Sequence, residues 1–408
     1  MLNIRSMKTH SMISRCVTLL PVLFSSILLF AGCSSFAKKA GLSGPPVAER
    51  INVGGDELVV ADITAFRDTV ILPLGALTKE LEIIPLDNRQ EALFSYGSVV
   101  VSENYLGVIT STPRSFKLFD RKGKYLRDIG KEGRGPGEYG NIYSARIDEK
   151  TGRIYILPWT SEQLLVFGMD GTAYPPVKLA YRSGKGVFDV NPDGTFTVAV
   201  VPIGGAGIWA WTQDAEGNVI NEIPNPDPSR YADFSSEVYA YRNTAEFDPF
   251  LTIFSNKSND TLQSYDYKAG RMIPRFSVKN IQDKEPPYYT YGQLPHYFIG
   301  NYAPGLNQVG ERIFQGLPPV NFIVDKKTLQ GAYYRLVMDE LGGIDVWPSF
   351  TQGYFVWNAP AVNLKDKLEK ALGSGSVTDA AMLEKIRKLN DSFDEEDNNI
   401  IFLGRLRE

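Results

Sequence analysis

A short unit of strand, polar turn and strand recurs along this chain, and its spacing is the feature that most limits the possible folds. In each copy an apolar or aromatic pair ends one strand and a polar turn follows; the copies are centred on Phe119, Phe167, Trp211, Tyr265 and Ile323. The steps between these centres are 48, 44, 54 and 58 residues, with a mean of 51. A period of roughly 40 to 50 residues built from four short strands is typical of a β-propeller blade.

The number of blades follows from the length of the repeating region. Residues 56–408 have room for six such blades once a short helical insert is set aside. Seven blades are the second possibility, and a pair of β-sandwiches is the alternative fold. Aromatic residues make up 12% of the chain, and together with frequent Gly and Pro they favour β-structure. We therefore predict an all-β fold, a six-bladed β-propeller over residues 56–408.

The helical insert and the end of the chain are predicted from local patterns. Leu364, Leu368 and Leu372 recur at a spacing of four, and Thr378 is a candidate cap for a second helix, so we place the insert at about residues 364–391. An acidic turn then leads into the apolar run 400–403. We expect this run to pair with N-terminal strands and close the ring, because an open propeller would expose two sheet edges.

The N-terminus has the pattern of an export signal. Residues 1–16 contain three basic residues and no acidic one, and residues 17–31 form an apolar run. Fifteen residues is short for a membrane span and suits the hydrophobic region of a signal peptide. The sequence Leu-Phe-Ala-Gly-Cys, which ends at Cys33, resembles a bacterial lipobox. That resemblance implies lipidation of Cys33 and anchorage to a membrane.

We therefore predict a lipoprotein signal peptide over residues 1–32 and a lipidated tether over residues 33–55. A transmembrane anchor and a plain secretory signal are the alternatives. Ser34 and Ser35 directly after the cysteine favour the outer membrane over retention in the inner membrane. Which face of that membrane carries the protein is not determined by the sequence.

Composition excludes several classes of function. The full chain has a formal net charge of −4, and removal of residues 1–32 with their three basic residues makes it −7. An acidic chain without a basic face does not suit nucleic acid, so we expect no nucleic-acid partner. The chain has two His, of which only His296 follows the signal segment. A site with several His ligands for zinc is therefore excluded.

The most distinctive run is IGKEGRGPGEYG at residues 129–140. Its Gly-x-Gly-x-x-Gly pattern does not indicate dinucleotide binding, because a strand and not a helix follows. With Phe119-Asp120 before it and the strand at residues 152–156 after it, the run resembles the NHL-like and TolB-like six-bladed propeller lipoproteins of Bacteroides-type bacteria. The resemblance covers roughly residues 70–408. It implies a propeller in the cell envelope of Bacteroidetes, in a group mostly without assigned activity.

Two charged residues of this run are candidate ligand contacts. Arg134 and Glu138 could instead pair with each other across a loop between blades, in which the glycines adopt positive φ. We favour the structural interpretation of the motif.

The richest candidate binding segment lies in the second half of the chain. Its aromatic and imidazole side chains are Tyr288, Tyr289, Tyr291, His296, Tyr297 and Tyr302. Flat aromatic faces with few charges suit sugar rings or peptides. The alternative is that alternate aromatics pack between blades, and His296 is then a hydrogen-bonding residue and not a base.

These observations favour a binding or scaffold module for an envelope protein, a glycan or a peptide, without catalytic residues or a required cofactor. The alternative is a calcium-dependent hydrolase, lactonase or lyase on the same fold. Oxygen ligands for calcium could come from Glu138, Asn191, Asn243 and Asn301, but their spacing does not single them out.

Overall fold

A computed structural model describes residues 40–408 apart from residues 206, 226, 230–231, 254–260, 280–287, 304–305, 309–313 and 317. The predicted signal peptide and the lipidation site Cys33 lie outside the described residues. Four strands precede the first complete blade; they are β1 (Ala48–Val53), β2 (Asp56–Ala61), β3 (Thr69–Pro73) and β4 (Thr78–Pro85).

The first three blades are regular four-stranded antiparallel sheets. Blade 1 contains β5 (Gly97–Val101), β6 (Tyr105–Ser111), β7 (Arg114–Asp120) and β8 (Tyr125–Ile129). A loop with the short strands β9 (Lys131–Glu132) and β10 (Glu138–Tyr139) follows. Blade 2 contains β11 (Ile142–Asp148), β12 (Arg153–Pro158), β13 (Ser161–Gly168) and β14 (Ala173–Ser183). Blade 3 contains β15 (Gly186–Val190), β16 (Phe196–Val200), β17 (Ile208–Gln213) and β18 (Val219–Pro224).

The last three blades carry the irregular features. Blade 4 contains β19 (Glu237–Ala240), β20 (Pro249–Thr252), β21 (Leu262–Asp266) and β22 (Arg271–Val278), with its two hairpins joined by a bridge between Phe247 and Tyr265. Blade 5 contains β23 (Tyr288–Gln293), β24 (Tyr297–Ala303), the hairpin β25 (Leu306–Gln308) and β26 (Phe314–Gly316), β27 (Val320–Asp325), β28 (Gly331–Met338) and β29 (Ile344–Asp345). Blade 6 contains β30 (Phe350–Thr351), β31 (Tyr354–Ala359) and β32 (Ile400–Leu406).

The prediction of an all-β six-bladed propeller is confirmed, and the seven-bladed and sandwich alternatives are wrong. The five predicted repeat centres all fall on the third strand of successive blades, counted from the central channel, and all five are at most 4% exposed. The recurring apolar or aromatic residue therefore marks the buried strand that packs one blade against the next.

The ring closes where the sequence predicts. Strand β32 pairs with β31 on one side and with β4 on the other. Strand β4, which comes from the N-terminal part of the chain, is therefore the outermost strand of blade 6. Ile401, Phe402 and Leu403 are fully buried in this sheet. Both edges of the closing strand are hydrogen-bonded, which removes the open edge that a propeller must avoid.

The helical insert lies between the last two strands of blade 6. It contains α1 (Ala361–Gly373) and α2 (Ala380–Asn390), close to the predicted bounds. Leu364 and Leu368 are fully buried on the inner face of α1, as their spacing predicts. The predicted cap is wrong by one residue, since the carboxylate of Asp379, not Thr378, accepts the Met382 backbone N–H at 3.0 Å. A carboxylate at this position also interacts favourably with the helix dipole.

The N-terminal strands run along the outer edges of three successive blades. The hairpin of β1 and β2 adds to β22 of blade 4, β3 adds to β28 of blade 5, and β4 completes blade 6. Residues 48–53 were expected in the tether but form β1, because they pair with β2 in full register and Arg50 forms an ion pair with Glu57 at 3.0 Å. The sheet therefore begins before the expected boundary at residue 56.

The alternating strand directions define two faces of the ring. We call the upper face the side on which the innermost strand of each blade begins. Because consecutive strands are antiparallel, this face also carries the turns between the second and third strands. The lower face carries the turns between the first and second strands and between the third and fourth.

Candidate functional site

The upper face holds a preformed pocket of about 560 Å³ between blades 1, 2 and 6. Its walls are the residues before β5, the turn after β6, the start of β11, the end of β12 and the end of β31. The lining side chains include those of Tyr96, Ser98, Thr110, Arg114, Asn141, Trp159 and Asn358. A cavity of this size falls within the range of small-molecule sites.

Trp159 forms a fixed wall of this pocket. Its backbone N–H donates to the Asn141 carbonyl at 2.9 Å, and the next residue, Thr160, donates to the Gly184 carbonyl at 2.8 Å with its own φ at +50°. The Tyr143 ring packs edge-on against the indole with centroids 5.7 Å apart. The indole is still 39% exposed, so a rigid aromatic face is presented to solvent.

An ion pair with a buried lysine supports the back of the Trp159 ring. The Lys185 ammonium, with a side chain 2% exposed, lies 4.7 Å from the indole centroid and pairs with the Glu237 carboxylate. The Tyr143 hydroxyl donates to the other oxygen of that carboxylate at 2.6 Å. Burial and this hydrogen bond raise the pKa of the Tyr143 phenol well above its usual value. A cation against an indole face is stabilising, and more so when desolvated.

The opposite wall of the pocket is more open. Tyr96 is 69% exposed. Asn358 donates to the Gly97 carbonyl at 2.9 Å and accepts from Asn399 at 2.8 Å. Arg114 forms an exposed ion pair with Glu132 at 2.5 Å. The rim is therefore built from hydroxyl, amide and aromatic groups, with little net charge.

The lining of this pocket is almost entirely uncharged. Among the lining residues that the structure describes, Arg114 alone carries a charge. None of the lining residues combines a nucleophile with an adjacent base, which covalent catalysis requires. Two aromatic faces and a polar rim are what an uncharged, ring-containing ligand needs.

The tyrosine segment predicted from the sequence is mostly core. Tyr289 is 5% and Tyr291 is 1% exposed, and Tyr291 meets Phe250 and Phe276 edge-on with centroids 5.1 and 5.4 Å apart. Tyr302 is half-buried with its ring 5.6 Å from that of Tyr289. These contacts match the alternative interpretation, in which the aromatics pack between strands and blades.

The remaining residues of that segment lie elsewhere. His296 and Tyr297 line a separate lower-face cavity of about 300 Å³. Tyr288 begins β23, and its side chain lies outside the described residues. The segment is therefore divided between a core and the lower face, and it does not form one surface with Tyr96 and Trp159.

Arg134 and Glu138 lie in the loop between blades 1 and 2. Glu138 pairs with Lys131 at 2.9 Å and accepts the Gly135 backbone N–H at 2.8 Å. These hydrogen bonds lower the pKa of the Glu138 carboxyl. Gly130 and Gly137 adopt φ of +65° and +73°, as expected for this loop. The partner of Glu138 is thus Lys131, and the expected pairing with Arg134 is not the one formed.

Tyr139 of the same run has a role that the sequence did not indicate. Its ring is 1% exposed, its hydroxyl donates to the Ile129 carbonyl at 2.7 Å, and it accepts the Phe116 N–H at 3.0 Å. Burial raises its pKa to about 12. The glycine-rich run therefore ends in an anchor that ties the loop to blade 1.

The four candidate calcium ligands are not brought together. Glu138 lies in an upper-face loop, whereas Asn191 and Asn243 follow innermost strands on the lower face. Asn191 bonds to Thr195 and Thr197, and Asn243 donates to the Phe350 carbonyl at 3.2 Å. Asn301 lies in β24 beside a small cavity. In the described part of the chain, no group of three or more His, Cys, Asp or Glu side chains is placed to hold a metal ion.

The fold defines a class: a six-bladed propeller closed by its own N-terminal strand, with a helical insert in its last blade. Residues 58–405 match the model of a family described as a domain of unknown function, DUF4934. The chain belongs to this family. No curated protein matches it.

Three solved structures are similar to this chain to different degrees. A protein of Bacteroides fragilis that is described as exported has a TM-score of 0.58 and 16% identity, over 84% of this chain and 99% of that one. A DUF4221 family member from Bacteroides vulgatus has a TM-score of 0.42 and 11% identity, over 81% and 98%. A periplasmic gluconolactonase of Pseudomonas aeruginosa has a TM-score of 0.35 and 11% identity, over 58% and 70%. At 16% identity the likeness to the Bacteroides fragilis protein shows the fold alone.

Within the described residues, no helix has the length and apolar character needed to span a membrane.

Proposed function

We propose that the protein is a non-catalytic binding module that holds an uncharged glycan in the upper-face pocket. The observation that supports this function is the pair of exposed aromatic side chains, Tyr96 and Trp159, on one pocket of about 560 Å³. Aromatic rings stack on the apolar faces of sugars, and the hydroxyl and amide groups between them can pair with sugar hydroxyls. The rigid support of Trp159 lowers the entropy cost of binding.

The cellular location is part of the same proposal. We infer an exported lipoprotein, anchored through Cys33 in the outer membrane, like the NHL-like and TolB-like propellers that the sequence resembles. The lipobox pattern supports this location, and so does the structural neighbour described as exported. A Cys33→Ser variant should move from the membrane fraction to the soluble fraction of the host. Retention in the membrane would contradict the anchor.

Calorimetric titration of the full chain tests the glycan site. The probes are cellohexaose, maltohexaose and mannohexaose, each an uncharged chain of six sugars. Trp159→Ala and Tyr96→Ala should each weaken the best of these by about tenfold or more, since aromatic anchors dominate such sites. Trp347→Ala is the matched control, because Trp347 is 51% exposed and does not line this pocket.

The results separate the glycan from the other ligand classes. Equal binding by the wild-type chain and both pocket variants would refute the site. If no oligosaccharide binds, but a stoichiometric envelope protein is captured by crosslinking and lost with Trp159→Ala, the site stands and the ligand is a protein.

A further inference from the structure

A second cluster of charged side chains lies at the lower end of the central channel. Arg146 is on β11, Asp189 is on β15 and Arg242 follows β19 by two residues, so the three come from the innermost strands of blades 2, 3 and 4. None of them belongs to the upper-face pocket. They lie together because successive blades direct equivalent positions at the same axis.

Two guanidinium groups share one carboxylate in this cluster. Arg146 lies 3.2 Å from one oxygen of Asp189, and Arg242 pairs with the other oxygen. The Asp189 side chain is 4% exposed, and those of Arg146 and Arg242 are 23% and 21% exposed. Burial lowers the pKa of Arg146 to about 10, and burial together with the charge of Arg146 lowers that of Arg242 to about 9.

Arg242 is held in place by blade 6. It has a φ of +52°, which is unfavourable for a residue with a side chain. The preceding carbonyl, of Tyr241, accepts the Gln352 N–H at 2.7 Å, and the following side chain, of Asn243, donates to the Phe350 carbonyl at 3.2 Å. This backbone conformation places Arg242 both against Asp189 and on the wall of a lower-face cavity.

That cavity has the size and the lining of a ligand site. It measures about 520 Å³, and its polar lining includes Arg242, Asn243, Thr244, Gln352, Arg405 and Glu408. At ion-pair distance the channel cluster has two cations and one anion. Asp148 and Asp248 lie farther off and act on Arg146 and Arg242. The planar guanidinium group of Arg242 on the cavity wall is the feature that suits a carboxylate.

We propose that the lower end of the channel is a second binding site, which takes the carboxylate of an acidic sugar through Arg242, with Arg146 behind it. The carboxylate enters from the lower-face cavity and shares the Arg242 guanidinium group with Asp189. Arginine is suited to this contact because its planar fork can bond both oxygens of a carboxylate. Asp189 competes with the ligand and so sets its affinity.

Titration of the full chain with glucuronate tests this site. Glucose is the neutral control with the same ring, and inorganic phosphate tests the alternative anion. Arg242→Gln should weaken glucuronate by about tenfold, and Asp189→Asn should strengthen it by about threefold, because it removes the competing carboxylate. A purely structural role for Asp189 predicts the opposite change. Affinity should also fall as salt is raised.

The matched variants make each result decisive. Arg335→Gln removes an exposed arginine of an outer strand and should bind like the wild-type chain. If Arg242→Gln does not fold, Arg242→Lys keeps a charge opposite Asp189 and should lose about threefold. No saturable glucuronate binding, equal binding by the Arg242 variant, or tighter binding of phosphate than of glucuronate would each overturn the proposal.

Discussion

Two aromatic regions of this propeller have opposite relations to solvent. In the tyrosine segment of blade 5, Tyr289 and Tyr291 are 5% and 1% exposed, whereas Tyr96 and Trp159 of the upper face are 69% and 39% exposed. The aromatic residues of the first region are close together in the sequence and buried in the structure. The aromatic residues of the second region come singly from separate blades and are exposed to solvent.

Position relative to the strand ends explains the difference. Tyr289 and Tyr291 lie two residues apart within β23, so both point to the same side of the sheet and pack against their neighbours. Tyr96 immediately precedes β5, and Trp159 immediately follows β12. Aromatics inside strands therefore build the core here, and aromatics at the upper strand ends build the candidate site.

The largest expected effect tests the closed ring on which both regions depend. Deletion of residues 399–408 removes β32, which pairs with two strands and buries Phe402 and Leu403. We expect loss of soluble, folded protein, because two sheet edges and the core of blade 6 become exposed. Soluble yield and thermal melting by circular dichroism measure this loss.

A shorter deletion serves as the control. Removal of Glu408 alone leaves the whole of β32 in place and should melt like the full chain. If the ten-residue deletion also melted like the full chain, the closure model would be wrong.

The next effect separates the buried aromatics from the exposed ones. Tyr291→Ala should lower the free energy of unfolding by about 3–5 kcal/mol, the usual loss when a buried aromatic is truncated. Tyr291→Phe keeps the ring among Phe250, Phe276 and Phe322 and should lose much less. Urea denaturation of both variants provides the comparison. A loss below about 1 kcal/mol for the alanine variant would contradict the core assignment.

Lys185 contributes both to the stability of the fold and to the position of Trp159 in the upper-face pocket. Lys185→Met leaves the Glu237 carboxylate without its buried cation and Trp159 without the charge behind its ring. We expect a loss of about 1–3 kcal/mol of stability and weaker binding at the upper-face pocket. The double variant Lys185→Met with Glu237→Gln should regain part of the stability. No recovery in the double variant would show that the ion pair is not the source of the loss.

The sequence predicted the fold because the fold depends on periodic, local signals. The five repeat centres, the leucine spacing of α1 and the apolar run of β32 each fix a buried position by pattern alone. The cap of α2 was missed by one residue, since Thr378 and Asp379 are both good caps in sequence. The positions of β2 and β3 at the outer edges of blades 4 and 5 were not predicted, because these strands pair in parallel with strands that are distant in the sequence.

The candidate sites could not be predicted in the same way. The upper-face pocket joins Tyr96, Trp159 and Asn358, which are up to 262 residues apart, and nothing local marks them as neighbours. One usable signal existed: Trp159 directly follows a β-strand at a place where a small turn residue is usual. The cluster of Arg146, Asp189 and Arg242 likewise depends on which innermost strands face the channel, and that is known only once the blades are placed.

The substitution with the smallest expected effect on stability gives the sharpest test of the difference between the buried and the exposed aromatic region. Tyr96→Ala removes a ring that is 69% exposed, so the free energy of unfolding should stay within about 0.5 kcal/mol of the wild-type value. The same substitution should weaken the best oligosaccharide by about tenfold, if this ring is a stacking surface. Tyr291→Ala should show the reverse order, with a large loss of stability. If Tyr96→Ala instead destabilised the fold as much as Tyr291→Ala, exposure would not distinguish the two regions, and Tyr96 would be a structural residue.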